Sequence, residues 1–209
     1  MKTQIGKKTV TSKKVKMGRP RGFDEKRALE MAMRVFWAKG YEGATTTDLT
    51  EAMGINASSL YAAFTSKEIL FERAFALYRE HQLAYVPRAF KLPTLREVVT
   101  ALLHGTVDLL NTNGNPKGCL TLQGAIATGT SAEPIRDLLI EYRREGEAAL
   151  KQRIDKAQRG GELDPSVNTA DYARYVSMLM TGLAVQAANG ATKTALMREA
   201  EMSLHYLGY

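Results

Sequence analysis

The sequence has little with which to cross-link, chelate a metal or cross a membrane. Cys119 is its one cysteine, which excludes an intramolecular disulfide framework and fits a reducing, cytoplasmic location. Its three histidines, His81, His104 and His205, lie too far apart to form a local metal motif with that thiol. A G-x-S-x-G nucleophile elbow, a P-loop and a dinucleotide fingerprint are all missing. No apolar run approaches the roughly 18 residues of a membrane span, and the best, Met178–Ala188, is interrupted by Thr181, Gly182 and Gln186. The N-terminus is basic with no apolar segment behind it, so it is not expected to act as a secretory signal. Without export, the sequon Asn56-Ala57-Ser58 has no consequence. These absences leave no cofactor or metal to expect. An enzyme remains only as the alternative of an all-helical fold with dispersed catalytic residues.

Acidic residues are missing from one stretch in particular. Residues 1–22 hold eight of the 29 basic residues and no acid. The rest of the chain sets 21 basic against 22 acidic side chains and is nearly neutral. The formal charge of +7 therefore belongs to an arm without apolar periodicity, expected to be disordered when alone. Such a tail binds phosphates without regard to sequence, by counterion release. Its last residues, Gly18-Arg19-Pro20-Arg21-Gly22, resemble an AT-hook, in which Arg19 and Arg21 would enter an A/T minor groove; loose phosphate contact is the alternative.

What is present is a globular composition, 44% hydrophobic and 24% charged over 209 residues, enough for one large or two small domains. The pattern is helical throughout, with no strand alternation and about nine helices. A first helix spans about Asp24–Lys39, buries Leu29, Ala32, Val35 and Phe36, and stops at Gly40. Thr45 and Asp48 form a capping pair at the start of a second, with Leu49, Ala52 and Met53 on its inner stripe. Gly54 suits the turn after it. A third helix begins near Asn56 and buries Leu60 and Phe64. A fourth runs from Ser66 or Lys67 to about Val86, where Pro87 ends it.

Further helices are expected over about Thr94–Leu110, Leu120–Thr128, Pro134–Arg159, Thr169–Asn189 and Thr192–Leu207. The Pro134–Arg159 helix carries a charged face that reads as solvated, including Glu141, Arg143, Arg144 and Glu147. The Thr169–Asn189 helix is apolar around most of its circumference, which implies burial on more than one side.

Two short helices about a Gly-centred turn have the geometry of a helix-turn-helix DNA reader. With Leu60 inward, Ser58 and Ala62 point outward, flanked by Ser59 and Tyr61. That face is small and uncharged, where an ordinary solvated helix favours Lys, Glu or Gln.

The runs ALEMAMRVFWAKGY (28–41), Thr45–Thr47, AMGINASSLYAAF (52–64) and SKEILF (66–71) together resemble the N-terminal domain of the TetR family of transcriptional regulators. The resemblance implies an all-α homodimer: an arm over residues 1–22, a DNA-binding domain over 23–68 and an effector-binding, dimerising domain over 69–209. It also implies a repressor released from a palindromic double-stranded DNA operator by a small-molecule effector. An activator of the same fold is the alternative.

Position by position, Thr45, Thr46, Thr47 and Lys67 would meet phosphates, Thr47 with a base edge as its alternative. Ala57, Ser58 and Ala62 would face the major groove, and Ser59 and Tyr61 the DNA backbone. The last two helices would meet their copies across a two-fold axis, a monomer core being the alternative. His104, Cys119, Gln123, Tyr142, Tyr175 and Met178 are candidates for lining the effector cavity. Cys119 sits at a helix start beside Lys117, a setting that favours a reactive thiolate for oxidants or electrophiles; an inert buried thiol is the alternative.

Overall fold

Hydrogen-bonding side chains set most of the helix starts. The computed structural model describes residues 23–123, 129 and 132–209, without the side chain of Gln123. Arg19 and Arg21, and residues 124–128 of the predicted Leu120–Thr128 helix, lie outside the described residues. Asp24 caps α1 (Glu25–Gly43), accepting from the amides of Lys26 and Arg27. Thr45 and Asp48 form a capping box on α2 (Thr46–Met53), Asn56 caps α3 (Ala57–Phe64) and Ser66 caps α4 (Lys67–His81). A five-residue α5 (Tyr85–Ala89) follows. Then come α6 (Leu95–Leu110), opened by a Thr94–Glu97 capping box, and the short α7 (Leu120–Gln123). The chain ends with α8 (Glu133–Arg159), α9 (Thr169–Ala188) and α10 (Lys193–Tyr206). Among the described residues the architecture is all-α, with ten helices and no strand.

Three expectations change in detail. Pro87 does not end the fourth helix: α4 stops at His81, and Pro87 lies in the first turn of α5, where its missing N–H costs nothing. Gly40 does break the first helix, with φ 72° and ψ 178°, but a further helical turn carries on to Gly43. The buried side of α1 is Ala28, Ala32, Met33, Phe36 and Trp37, with Leu29 and Val35 only half-buried, and Ala52 of α2 is exposed. Because α2 packs mainly on α1 and α3, its stripe narrows to Leu49 and Met53.

Two apolar cores result. One joins α1–α4 to Leu120 of α7 and to Ile135 and Leu139 of α8. Its centre is aromatic: Phe36 and Phe71 meet edge-on at 5.1 Å, and Trp37 and Tyr78 at 4.8 Å. All four rings are buried, and truncating any of them to Ala should cost ~3–5 kcal/mol. The second core packs α6, the C-terminal part of α8, α9 and α10. Tyr85, Val86 and Cys119 pack against both cores.

Candidate functional site

The reader surface is built by α2, α3 and their caps. Gly54, with φ 66° and ψ 32°, takes the left-handed conformation that ends α2 and that an L side chain disfavours. Ile55 then continues to Asn56, whose side chain accepts from the Ser59 amide at 2.8 Å. Leu60 and Phe64 hold α3 to the core, while Ala57, Ser58, Tyr61 and Ala62 are exposed and Ser59 is half-buried. The outer face predicted from helical geometry is therefore the outer face observed. Tyr61 and Thr46 hydroxyls lie 3.3 Å apart, tying α3 to the start of α2.

At the other end, Thr65 has φ 65° and ψ −51°, and Ser66 N–H donates to the Phe64 carbonyl at 2.6 Å. This is a strained γ-turn, unusual for a β-branched residue, and it leads directly from α3 to Ser66, the cap of α4.

Two of the expected phosphate contacts are partly engaged within the protein. The Thr45 hydroxyl donates to Asp48 Oδ2 at 2.8 Å and accepts from the Asp48 amide at 3.1 Å. Lys39 Nζ lies 2.6 Å from Asp48 Oδ1, and this bond, followed by those from Thr45, holds the Asp48 carboxyl at about 2. The cap thus stays ionised, and the α2 amides of Thr46 and Thr47 are left as first-turn donors. Lys67 sits 4.5 Å over the Tyr41 ring, and burial lowers its pKa.

The second feature is a cavity of about 450 Å³ walled by the segment following α4 and by α5 through α9. Leu102, Leu109, Ile140 and Leu150 are among its apolar walls, and Tyr85, Thr106, Cys119, Thr121 and Arg143 supply polar atoms. Most of these polar atoms satisfy one another. Tyr85 and Thr106 hydroxyls are 3.0 Å apart, and Thr106 donates to the Leu102 carbonyl at 2.8 Å. Cys119 Sγ lies 3.0 Å from Thr121 Oγ1 and 3.4 Å from the Tyr78 hydroxyl. Burial raises the phenol pKa of Tyr85, Tyr78 and Tyr142, so all three stay neutral.

Of the six residues expected around an effector, Cys119, Tyr142 and Met178 line this cavity. His104 turns instead toward α10, its Nε2 2.7 Å from Glu201 Oε1, and Tyr175 is exposed on α9. Gln123 ends α7 with its side chain outside the described residues. Sequence reasoning missed Tyr85, Thr106, Thr121 and Arg143. A mid-helix glycine was the available signal for the first: a Cβ on Gly105 would stand 2.3 Å from the Tyr85 ring. Arg143 was expected on a solvated face, yet it is half-buried and its Nη1 donates to the Thr121 carbonyl at 2.6 Å.

The segment beyond α6 also ties the cavity to α1. Arg34 donates to the Gly114 carbonyl at 2.6 Å, and the Trp37 indole donates to the Gly118 carbonyl at 2.9 Å. The Gly129 amide donates to the Glu42 carboxylate. No helix among the described residues is long and apolar enough to cross a membrane.

Residues 28–74 match the model of bacterial regulatory proteins of the tetR family, and residues 95–202 match that of the tetracyclin repressor-like C-terminal domain. The chain belongs to the TetR family. As a member it is a DNA-binding transcriptional regulator and not an enzyme.

Similar TetR proteins include the HTH-type transcriptional repressor ComR of Escherichia coli K12, 30% identical over 190 residues and covered to 90% in both chains. The repressor BdcR of the same organism is 30% identical over 198 residues, covering 93% of this chain and 94% of its own. Among solved structures, a cysteine mutant of the TetR regulator CifR, complexed with 26-bp double-strand operator DNA, superposes with a TM-score of 0.85. It is 37% identical, over 90% of this chain and 98% of that one.

Proposed function

We propose that the protein is a cytoplasmic homodimeric repressor, released from a palindromic operator by a small molecule bound in the 450 Å³ cavity. Its parts are the basic arm of residues 1–22, the reader of 23–68 and the effector-binding and dimerising body of 69–209. On DNA, Ala57, Ser58 and Ala62 face the major groove, with Thr45, Thr46, Thr47, Ser59, Tyr61 and Lys67 on the phosphate backbone and Arg19 and Arg21 following the arm. The outer face of α3 offers no Arg, Asn or Gln, so thymine methyl contacts and DNA shape take more of the specificity.

The observation that carries control is the shared position of Tyr85, Val86 and Cys119, which line the cavity and pack against both cores. A ligand that moves them shifts α4 and, through Gly118, α1. The spacing of the two readers then departs from the roughly 34–36 Å that adjacent half-sites require. Effector and operator affinities are coupled by the same factor in both directions. That the relatives ComR and BdcR are repressors, and that CifR was captured on operator DNA, supports this reading over activation.

Footprinting of bound genomic sites, with transcript levels in cells with and without the protein, tests it. Palindromic footprints whose genes rise on deletion are expected. Genes that fall would make the protein an activator, and footprints without dyad symmetry would count against the dimer.

A further inference from the structure

The charges around the cavity do not balance, and the imbalance sits on one side chain. Arg174 is compensated by Glu147 at 3.5 Å and Asp171 at 3.3 Å, and Arg144 by Glu141 at 3.6 Å. Arg143, next to Arg144 on α8, has no carboxylate within ion-pair distance among the described residues. Its Nη1 donates to the neutral Thr121 carbonyl, which occupies one of the five guanidinium N–H groups. Arg143 is half-buried at the cavity wall, and desolvation lowers its pKa. The other polar atoms there ask little of a ligand, because the Tyr85–Thr106 and Cys119–Thr121 pairs are closed on themselves. The rest of the wall is chiefly aliphatic and aromatic. A half-buried cation with spare donors, beside apolar surface, attracts an anion whose body is apolar.

We propose that the effector is an apolar monocarboxylic acid, its carboxylate paired with Arg143 and its hydrocarbon body against Leu102, Leu109 and Ile140. A single planar guanidinium matches a carboxylate in a two-point fork, and one uncompensated charge matches one negative charge. A cationic ligand would meet repulsion at the same place. The volume of about 450 Å³ falls in the range of sites that enclose a whole small organic molecule. The proposal rests on the cavity being the effector site.

Calorimetric titration of the full-length protein with decanoate and with 1-decanol separates charge from hydrophobicity. Arg143→Gln and Arg143→Lys are compared with the wild type, and operator affinity is measured alongside. The wild type should bind the acid about tenfold or more tightly than the alcohol, since a charge-assisted pair adds at least that much. Arg143→Gln should bring the acid down to the alcohol's affinity without changing the alcohol, and Arg143→Lys should recover part of the difference. Unchanged alcohol binding also shows that the variant cavity is folded.

Equal affinities for acid and alcohol in the wild type overturn the proposal, as does absence of binding by both. A parallel loss of both ligands in Arg143→Gln also overturns it, because Arg143 would then serve only to hold Thr121. Arg143-dependent binding that leaves operator affinity unchanged supports the ligand class and sinks effector release, so the two readings fail separately.

Discussion

Gly105 in the middle of α6 makes room for one ring. A Cβ there would lie 2.3 Å from Cδ2 of Tyr85, whose hydroxyl is held 3.0 Å from that of Thr106. Alanine is otherwise the better helix former by ~1 kcal/mol, so the sign of a substitution shows which effect wins. Gly105→Ala is expected to destabilise the protein by ~1–3 kcal/mol through overpacking, measured by urea denaturation. Adding Tyr85→Leu should recover most of that loss, because the two changes relieve one contact. A neutral or stabilising Gly105→Ala would mean that the ring yields freely and that the cavity wall is soft. The half-buried Arg143 and the exposed Arg144 make a similar point. They are neighbours in sequence, yet among the described residues only the first lacks an acidic partner.

At the scale of the element, α3 divides its work between two kinds of outward residue. Tyr61 reaches across to Thr46, whereas Ala62 is a bare exposed position. Tyr61→Ala is expected to weaken binding roughly uniformly across operator variants, as loss of a backbone contact does. Ala62→Arg should change preference at one base pair, by ~1–3 kcal/mol for a good bidentate contact. Gel shifts on a panel of single-base operator variants measure both. Equal effects of both substitutions on every sequence would contradict the assignment.

The α2–α3 unit was legible because its determinants are local: the Thr45–Asp48 box, Gly54, Asn56 and the Leu60/Phe64 spacing act within a few residues. Even there, periodicity placed Ala52 inside, since it cannot tell that α2 is covered on one flank only. The cavity was not legible for the opposite reason. Its walls come from segments as distant as Leu83 and Ala184, and nothing local marks Arg143 as the member of a charged helix face that turns toward α7. Tyr85 is hidden because Pro87 reads as a helix stop in the sequence, whereas the chain uses it in the first turn of the next helix.

At the scale of the whole molecule, the outer surfaces of α9 and α10 carry most of the large exposed apolar side chains among the described residues. Met178 is 57% exposed, Met202 55% and Tyr206 77%, with Tyr175 and Val185 beside them. On α9, Tyr175, Met178 and Val185 recur at helical spacing opposite the buried Val176, Leu183 and Ala187. Apolar stripes on adjacent helices are what a four-helix dimer contact buries. The double substitution Met178→Glu, Val185→Glu is expected to give a folded monomer in sedimentation velocity. Its affinity for the full palindrome should fall toward that for a single half-site. A variant that remains dimeric would move the interface elsewhere.

The same geometry has an optical consequence. Trp37 is the one tryptophan in the sequence, fully buried, set edge-on against Tyr78 and bonded to the Gly118 carbonyl beside the cavity. Its fluorescence therefore arises at the junction between reader and body, with no second indole to confuse it. The protein carries its own lamp at the joint, and a ligand that loosens Gly118 will change its colour before any DNA is added.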